Sequence, residues 1–583
     1  MKKKVKKEFF CYSYLKRYKV KAIFSPLLKG LETITELFVP LIMARIIDYG
    51  ISANDSRFII TNGIFILVLN VLGVIFAISS HKLAADISMN IGKDIRDDIF
   101  AHINSLSHAE LDKFSTTTLL NRSVNDVRNI QNGIGSILRS IMRAPCLLLG
   151  SLILSLIINV KLSLIFIVII PILILVIWKI MSMLKPLLIK IKTHLDKTTN
   201  ITRENLTGVR VVRAFNKQAH ETEKFKHANF DLISTQIKHA KWDALLAPLI
   251  STIINFATIT LFYFGGIEVN VGGLSQGQLI AFIDYFATIS VCILSLATFI
   301  IIVTRLNASN DRINELFCIK NSIKDPANPI DVDFDDVNLG KVEFKDVNFS
   351  YSEMKNAVTN LSFTAEAGDI IGIIGGTGSG KSSITNLIPR FYDVSSGEIL
   401  INDHNIKKYR VEDIRNIVGL VPQNPTLFTG TIRSNMCWRK PDATDEEIVK
   451  ALKIAQAFDF VNEYPEFLDH KVNKGGKNFS GGQRQRLTIA RALVGNPHII
   501  ILDDASSALD FATDAKLRKS IRTSLASATT FIVTQRTNSI RDATKIIVVD
   551  NGNIIDIGTH DELLERCQIY SEIHYSQNKK EAK

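Results

Sequence analysis

The chain has 583 residues, too many for a single hydrophobic core, with a mean hydropathy of +0.17 and a formal net charge of +12. The positive hydropathy argues against a wholly soluble protein, and it is unevenly spread: residues 1–310 hold several long apolar runs, whereas from about 325 onward the chain reads as soluble α/β. The charge does not point to nucleic acid, because nine Lys and Arg fall within the first 21 residues, just before an apolar segment, which is the pattern of a membrane flank. That start lacks the short apolar core and small-residue cleavage site of a signal peptide. The six cysteines, at 11, 146, 292, 318, 437 and 567, have neither metal-ligand nor disulfide-framework spacing and read as free thiols.

A spanning helix needs about 20 mostly apolar residues. Six candidates occur, roughly at 22–48, 57–83, 134–158, 161–185, 243–266 and 276–304, joined in pairs by short connections near "YGISAND", "NVK" and "GGIEVNVGGLS". Lys and Arg crowd the N-terminus and the long segments 84–133 and 186–242 but nearly vanish from the short loops, which puts both termini and the long segments in the cytoplasm. The long segments are helix-periodic and read as extensions of the membrane helices. "FSTTTLLNRSVNDV" (Phe114–Val127) and "ENLTGVRVVRAF" (Glu204–Phe215) are the expected contact elements with whatever lies below, the alternative being a solvated helical hairpin. The expected layout is a basic elbow at 1–21, a transmembrane domain at 22–310, a linker at 311–341 and a nucleotide-binding domain at 342–583. Within the linker, "KNSIKDPANPIDVDFDDVNLG" is rich in Pro, Asn and Asp.

Lys29, Glu32 and Glu36 fall at helical spacing within the first span, and Asp284 within the last. Ionisable groups at that depth are costly unless they face water or a partner. Glu36 and Asp284 are therefore candidates for a substrate cavity contacting a cationic group, and an ion pair such as Lys29–Glu32 is the other reading.

The soluble half carries phosphate chemistry. "GGTGSGKS" (Gly375, Gly376, Thr377, Gly378, Ser379, Gly380, Lys381, Ser382) follows the apolar strand "IIGII" and precedes the helical "SITNLI", which begins at Ser383. Glycines let backbone N–H groups turn around a β-phosphate, the helix start adds its positive end, Lys381 would reach the β/γ oxygens and Ser382 would ligate Mg²⁺. Tyr351 is placed to stack on adenine, or is a strand-end core residue. "NFSGGQRQR" supplies a second anion-binding helix start at Ser480, about 100 residues downstream of the first. "IIILDDASSALD" (Ile499–Asp510) runs four aliphatic residues into Asp503, on the Mg²⁺ side, and Asp504, at the place of a general base.

Together these motifs resemble an ATP-binding cassette exporter half-transporter, and the resemblance covers nearly the whole chain. It rests on the phosphate loop, "NFSGGQ" as the signature (Phe479, Ser480, Gly481, Gly482, Gln483) and "IIILDD" as the Walker B strand. It rests also on "SALD" as the dimer loop (Ser507, Ala508, Leu509, Asp510) and "LVPQNPTLF", whose Gln423 matches the lid glutamine. The resemblance implies a membrane α-helical domain of six transmembrane helices with long cytoplasmic extensions, fused to an α/β P-loop nucleotide-binding domain in the plasma membrane. It also implies ATP and Mg²⁺ as cofactors, Tyr351 as the adenine platform, and Gln423 as a γ-phosphate and Mg²⁺ sensor. Two cassettes would join head to tail, each ATP lying between one chain's phosphate loop and the other's signature.

Two departures fall on hydrolysis. Competent relatives carry Glu after the Walker B Asp and a His after a later strand, whereas this chain has Asp504 and Gln535. Aspartate is one methylene shorter, and a misplacement of about 1 Å can cost about 10²-fold in rate. Gln535 can donate a hydrogen bond but cannot carry a proton. Lys474 stands where many relatives have an acidic residue, and Phe479 replaces a more usual leucine. The pattern is that of the degenerate subunit of a heterodimeric exporter of hydrophobic or amphipathic compounds, with a non-identical partner bearing the competent site. A homodimeric lipid or peptide exporter of low ATPase activity, or a nucleotide-gated channel on the same scaffold, is the alternative. The bilayer and a small amphipathic substrate are the other expected partners, and nucleic acid is not.

Overall fold

A computed structural model describes residues 10–334, 336, 339–351 and 356–577, so the Lys-rich stretch 1–9 and part of the linker lie outside the described residues. The chain forms two compact units. Met1–Asn104 with Thr116–Ile319 make the first, and Ser105–Ser115 with Lys320–Lys583 make the second.

The first unit consists of long helices: Lys19–Arg45, Ser56–Ser105, Val127–Ile158, Val160–Thr207, Gln218–Asn270 and Gln276–Phe317. At 1.5 Å per residue, the 50 residues of Ser56–Ser105 reach about 75 Å, far beyond a hydrocarbon core of about 30 Å. The charged segments after the apolar runs thus continue the same helices. Among the described residues, five helical stretches are long and apolar enough to cross a membrane: Ser56–Ser105, Thr116–Ile158, Val160–Thr207, Gln218–Asn270 and Gln276–Phe317. Lys19–Arg45 is not counted with them, because Lys29, Glu32 and Glu36 interrupt its apolar run, so the expectation of six spans is met by five on this measure.

Packing follows helical periodicity. Ile87, Ile91, Ile95 and Ile99, spaced by four, bury one face of Ser56–Ser105 against Val127, Ile130 and Ile134 and against Leu306 and Ile313. Phe166 stacks with Phe282 at 4.8 Å and Phe286 at 5.5 Å in a second cluster. Ile167, Val168, Leu175 and Trp178 remain exposed on the same helix as Phe166, an apolar face suited to lipid rather than water. Where the first and last helices meet, a Cβ on Gly277 would lie 2.2 Å from Ala44 O. Asp48 accepts there from Gly277 N at 2.8 Å and from Ser275 Oγ at 2.5 Å.

The contact element expected at Phe114–Val127 is displaced. Thr116–Asn121 runs through Arg122–Asp126 into Val127–Ile158 and belongs to the first unit. The segment that joins the second unit is Ser105–Ser115, with the one-turn helix His108–Leu111. Ser107 turns extended there, its hydroxyl bonding Glu110. That Ser-x-x-Glu spacing is a helix-start signature, and it was the signal that could have located the turn. The second expected element contains a short exposed helix, Val209–Ala214, in the first unit.

The second unit is built on a six-stranded sheet with strand order Asn553–Gly558, Lys545–Asp550, Ile370–Ile374, Thr529–Thr534, Ile499–Asp503, Val418–Val421. All neighbours are parallel except the first pair. Its strands are near-continuous aliphatic runs because both faces are covered by apolar clusters. A four-stranded antiparallel sheet containing Val342–Phe349 and Val358–Ala365 completes one of those clusters. The segment Ser105–Ser115 packs in this unit: His108 stacks on Phe391 at 4.2 Å, and Tyr392 Oη donates to Asp112 Oδ2 at 2.5 Å.

Candidate nucleotide site

Strand register brings the site together. Thr534 pairs with Ile374 and Val533 with Asp503, so three strands end at one edge of the parallel sheet. Ligands of open α/β sheets bind outside that carboxyl edge. The first strand opens into the glycine loop, the second into Gln535 and the third into Asp504, so residues about 30 to 160 positions apart in sequence become neighbours.

The loop needs its glycines in two places. A Cβ at Gly375 would lie 2.0 Å from Val549 O, and Gly380, at φ +103°, begins the helix Lys381–Leu387 in a conformation side chains rarely adopt. Lys381 Nζ lies inside the loop, donating to Gly375 O at 2.9 Å and Gly376 O at 2.6 Å, with Ser379 Oγ at 3.4 Å. Burial holds this ammonium below the ordinary lysine range, while Asp503 and Asp504 pull the other way. Ser382 Oγ donates to Asp503 Oδ1 at 3.2 Å. A hydroxyl and a carboxylate so placed are hard oxygen donors, the set that Mg²⁺ takes alongside substrate phosphates, so the residues fit that cation.

A cavity of about 170 Å³ is lined by Thr377, Gly378, Lys381, Ser382, Gln423, Asp503, Asp504, Val533, Thr534 and Gln535. Beside it a groove of about 440 Å³ runs over Tyr351 and Gly378–Ser383. Asn356, Ala357, Asn551 and Gly552 also line the groove. Sequence reasoning missed these four, which lie in turns outside any phosphate motif. Only the Asn-Gly pair at 551–552, a turn signal, marked the spot. Tyr351 is half exposed over this groove, its ring edge-on to Phe349 at 4.7 Å and Tyr392 at 5.2 Å.

Asp503 and Asp504 are adjacent carboxylates in a partly dry site. Burial raises Asp503 above the ordinary aspartate value of 3.8, the Ser382 hydrogen bond opposes this, and the charge of Asp504 adds to it. Burial likewise raises Asp504, opposed first by the Gln423 side chain and then by Arg536 and Lys381. Asp504 itself sits at φ +47°, its N–H donating to Val533 O at 2.9 Å.

The signature and dimer-loop residues lie outside this cavity. Ser480 caps Gly481–Leu493 through Gln483 N at 3.2 Å, and Gln483 Oε1 accepts from Ser480 N at 2.9 Å. Phe479 is buried edge-on to Tyr464 and His470, which stack on each other at 3.8 Å, so a ring in place of leucine has an aromatic seat. Ser507 Oγ donates to Asp504 O at 2.9 Å, Ala508 O lies beside Gly482, Leu509 is buried and Asp510 caps Phe511–Ser524. Lys474 is exposed in a short turn ahead of the signature.

In the membrane unit, Lys29 pairs with Glu32 at 2.6 Å, and Arg143 pairs with Glu36 at 3.3 Å. Glu36 is thus neutralised from a neighbouring helix rather than held as a bare acceptor for a cation. Asp284 is on the exposed side of its helix, next to the buried Tyr285.

Comparison with known proteins agrees with this arrangement. The ABC transporter transmembrane region family matches residues 22–293 and the ABC transporter family matches residues 358–507. The chain is 35% identical over 566 residues to the uncharacterized ABC transporter ATP-binding protein YfiB of Bacillus subtilis, covering 97% of this chain and 98% of that protein. It is 32% identical to the putative multidrug export ATP-binding/permease protein YgaD of the same organism, over 97% of this chain and 98% of the other. A solved bacterial Atm1-family ABC exporter with ATP bound shares the fold, with a TM-score of 0.80 at 23% identity, over 97% of this chain and 99% of that one. A glycine loop seated on a parallel sheet, a bundle of membrane-length helices on the same chain and relatives matched nearly end to end lead to one conclusion: the chain belongs to the ABC transporter family and is a multi-pass membrane protein carrying its own ATP-binding domain.

Proposed function

We propose that this chain is one half of an ATP-driven exporter of hydrophobic or amphipathic compounds, and that it is the slow-hydrolysing half of an unequal pair. In this reading Tyr351 stacks on adenine and the loop from Gly375 to Ser383 holds the phosphates. Ser382, Asp503 and Gln423 serve Mg²⁺. The residues Phe479–Gln483 close over the ATP of a second, non-identical half-transporter, and Ser507–Asp510 speak across the dimer. Both termini and the cassette are cytoplasmic. Lys19–Arg45 is the sixth span, made tolerable in the membrane by the Lys29–Glu32 and Arg143–Glu36 pairs.

The observation that carries the reading is that Asp504 and Gln535 line the same cavity as Lys381 and Asp503. In this reading the two positions that would face the attacking water and the γ-phosphate hold a shortened carboxylate and a side chain unable to move a proton. Binding groups are intact while the groups that would drive water onto phosphorus are weakened. The multidrug-export name of YgaD supports amphipathic cargo.

The test is Asp504→Glu with Gln535→His in the purified full-length chain. Basal ATPase should rise by about 10²-fold if these two residues limit turnover. A wild-type homodimer with strong transport-coupled turnover would sink the unequal-pair reading. Flux that persists with a non-hydrolysable nucleotide would mark a channel instead.

A further inference from the structure

The helix Gln568–Gln577 is not part of the phosphate cavity, yet it grips the segment that carries Gln535. Gln577 bridges that segment three times: its Nε2 donates to Gln535 O at 2.6 Å, and its Oε1 accepts from Thr537 N at 3.1 Å and from Thr537 Oγ1 at 3.4 Å. One turn earlier, His574 Nδ1 lies 3.0 Å from Thr537 Oγ1. Thr537 is fully buried and His574 nearly so, which shields this contact from competing water. The helix is in turn anchored by Tyr570, a fully buried ring whose hydroxyl lies 2.7 Å from His560 Nδ1.

Thr534 ends the strand, Arg536 N donates back to Thr534 Oγ1 at 3.1 Å, and the Arg536 guanidinium lies 5.1 Å over Phe511. Of these, only the Gln577 amide binds the Gln535 carbonyl directly. That bond restrains the peptide plane that follows Gln535, and with it the backbone from which the Gln535 side chain lines the cavity.

We propose that Gln577 is a positioning residue for the γ-phosphate contact: the helix Gln568–Gln577 holds the Gln535 backbone so that its side chain meets the terminal phosphate. The proposal rests on the reading of Gln535 as a γ-phosphate contact. It makes γ-phosphate recognition depend on a helix about 40 residues downstream in sequence.

The experiment compares the affinities of the purified full-length chain for Mg²⁺-AMP-PNP and Mg²⁺-ADP, so that hydrolysis does not enter. Gln577→Ala should weaken AMP-PNP binding by about three- to tenfold, the effect of one hydrogen bond, and leave ADP binding within about twofold. Its unfolding midpoint should stay near that of the wild type. Equal weakening of both nucleotides would show a merely structural role and overturn the proposal, as would no change in either. Gln577→Glu serves if the alanine variant does not fold. Its carboxylate still accepts from Thr537 N but cannot donate to Gln535 O, and it should lose the same discrimination. Retained discrimination in Gln577→Glu would also overturn the proposal. Gln535→Ala separates the two layers of inference. If Gln535→Ala loses discrimination and the Gln577 variants keep it, the clamp is wrong. If Gln535→Ala itself keeps discrimination, the γ-phosphate reading of Gln535 is wrong.

Discussion

Asp126 in the membrane unit and Asp503 in the cassette are both withdrawn from bulk water, and they are held in opposite ways. Asp126 is met by Arg312, whose Nε donates at 2.9 Å, and by Ser309 Oγ at 3.0 Å, while the neighbouring Arg122 pairs with Glu315 at 2.8 Å. Each charge there is cancelled beside its origin. Asp503 has a hydroxyl from Ser382 and a second carboxylate as its chain neighbour, and the nearest cation, Lys381, is bonded to loop carbonyls. Its charge is left out of balance, and burial raises its pKa. A balanced buried pair is a structural device, whereas carboxylates left unbalanced at a cavity mouth are a place where a cation and a polyphosphate would complete the electrostatics.

The comparison breaks first at the cassette. Lys381→Ala should lower ATP affinity by about 10²-fold or more, since it removes the charged donor of the phosphate loop, with the membrane unit's stability unchanged. An affinity within threefold of wild type would remove Lys381 from the binding site. Asp126→Ala should do the reverse. It leaves Arg312 without its carboxylate and should cost about 2–3 kcal/mol, read as earlier thermal inactivation in detergent, with nucleotide affinity unaltered.

A third test uses acidity. Burial raises the folded-state pKa of Asp503 above 3.8, so the folded chain without nucleotide holds that proton more tightly than the unfolded chain. The resulting stabilisation is complete below 3.8 and is lost as pH rises through the folded-state value. The unfolding midpoint of Asp503→Asn should therefore gain on the wild type as pH rises from about 4 through the folded-state value. A difference that shrinks over that interval would mean that Asp503 is better balanced than its surroundings indicate. The smallest effect is expected at Lys224, where the pair with Glu204 at 3.4 Å is well exposed on the charged extensions of the helices. Lys224→Gln should change stability by less than about 1 kcal/mol, and a loss of several kcal/mol would place that pair with Asp126.

Much of the site could be read in advance because its chemistry is local. The glycine loop, its lysine and serine, the Asp503–Asp504 pair and the signature each declare themselves within about ten residues, since a phosphate cradle needs glycine, a helix start and a cation in fixed order. Apolar runs likewise marked five membrane-length helices. The missed features are those that depend on distant partners. Asn551 and Gly552 reach the groove only because Lys545–Asp550 lies beside Ile370–Ile374. Glu36 could be read either as a cavity-facing acid or as one of an ion pair, and only the fold supplies Arg143, 107 residues away, as its partner. The contact element was misplaced because helix periodicity runs through Phe114–Val127, whereas the turn is made by Ser107 and Glu110 just upstream.

By itself, then, the sequence determined the two-part architecture, the helical membrane half and the identity of the phosphate-binding groups, because these follow from hydropathy, periodicity and short-range backbone chemistry. Tertiary structure alone decided which charges are cancelled and which are left to a ligand, and that Gln535 is gripped from the helix Gln568–Gln577. Electrostatic balance and side-chain aim depend on groups brought together across the fold, and no local spacing records them.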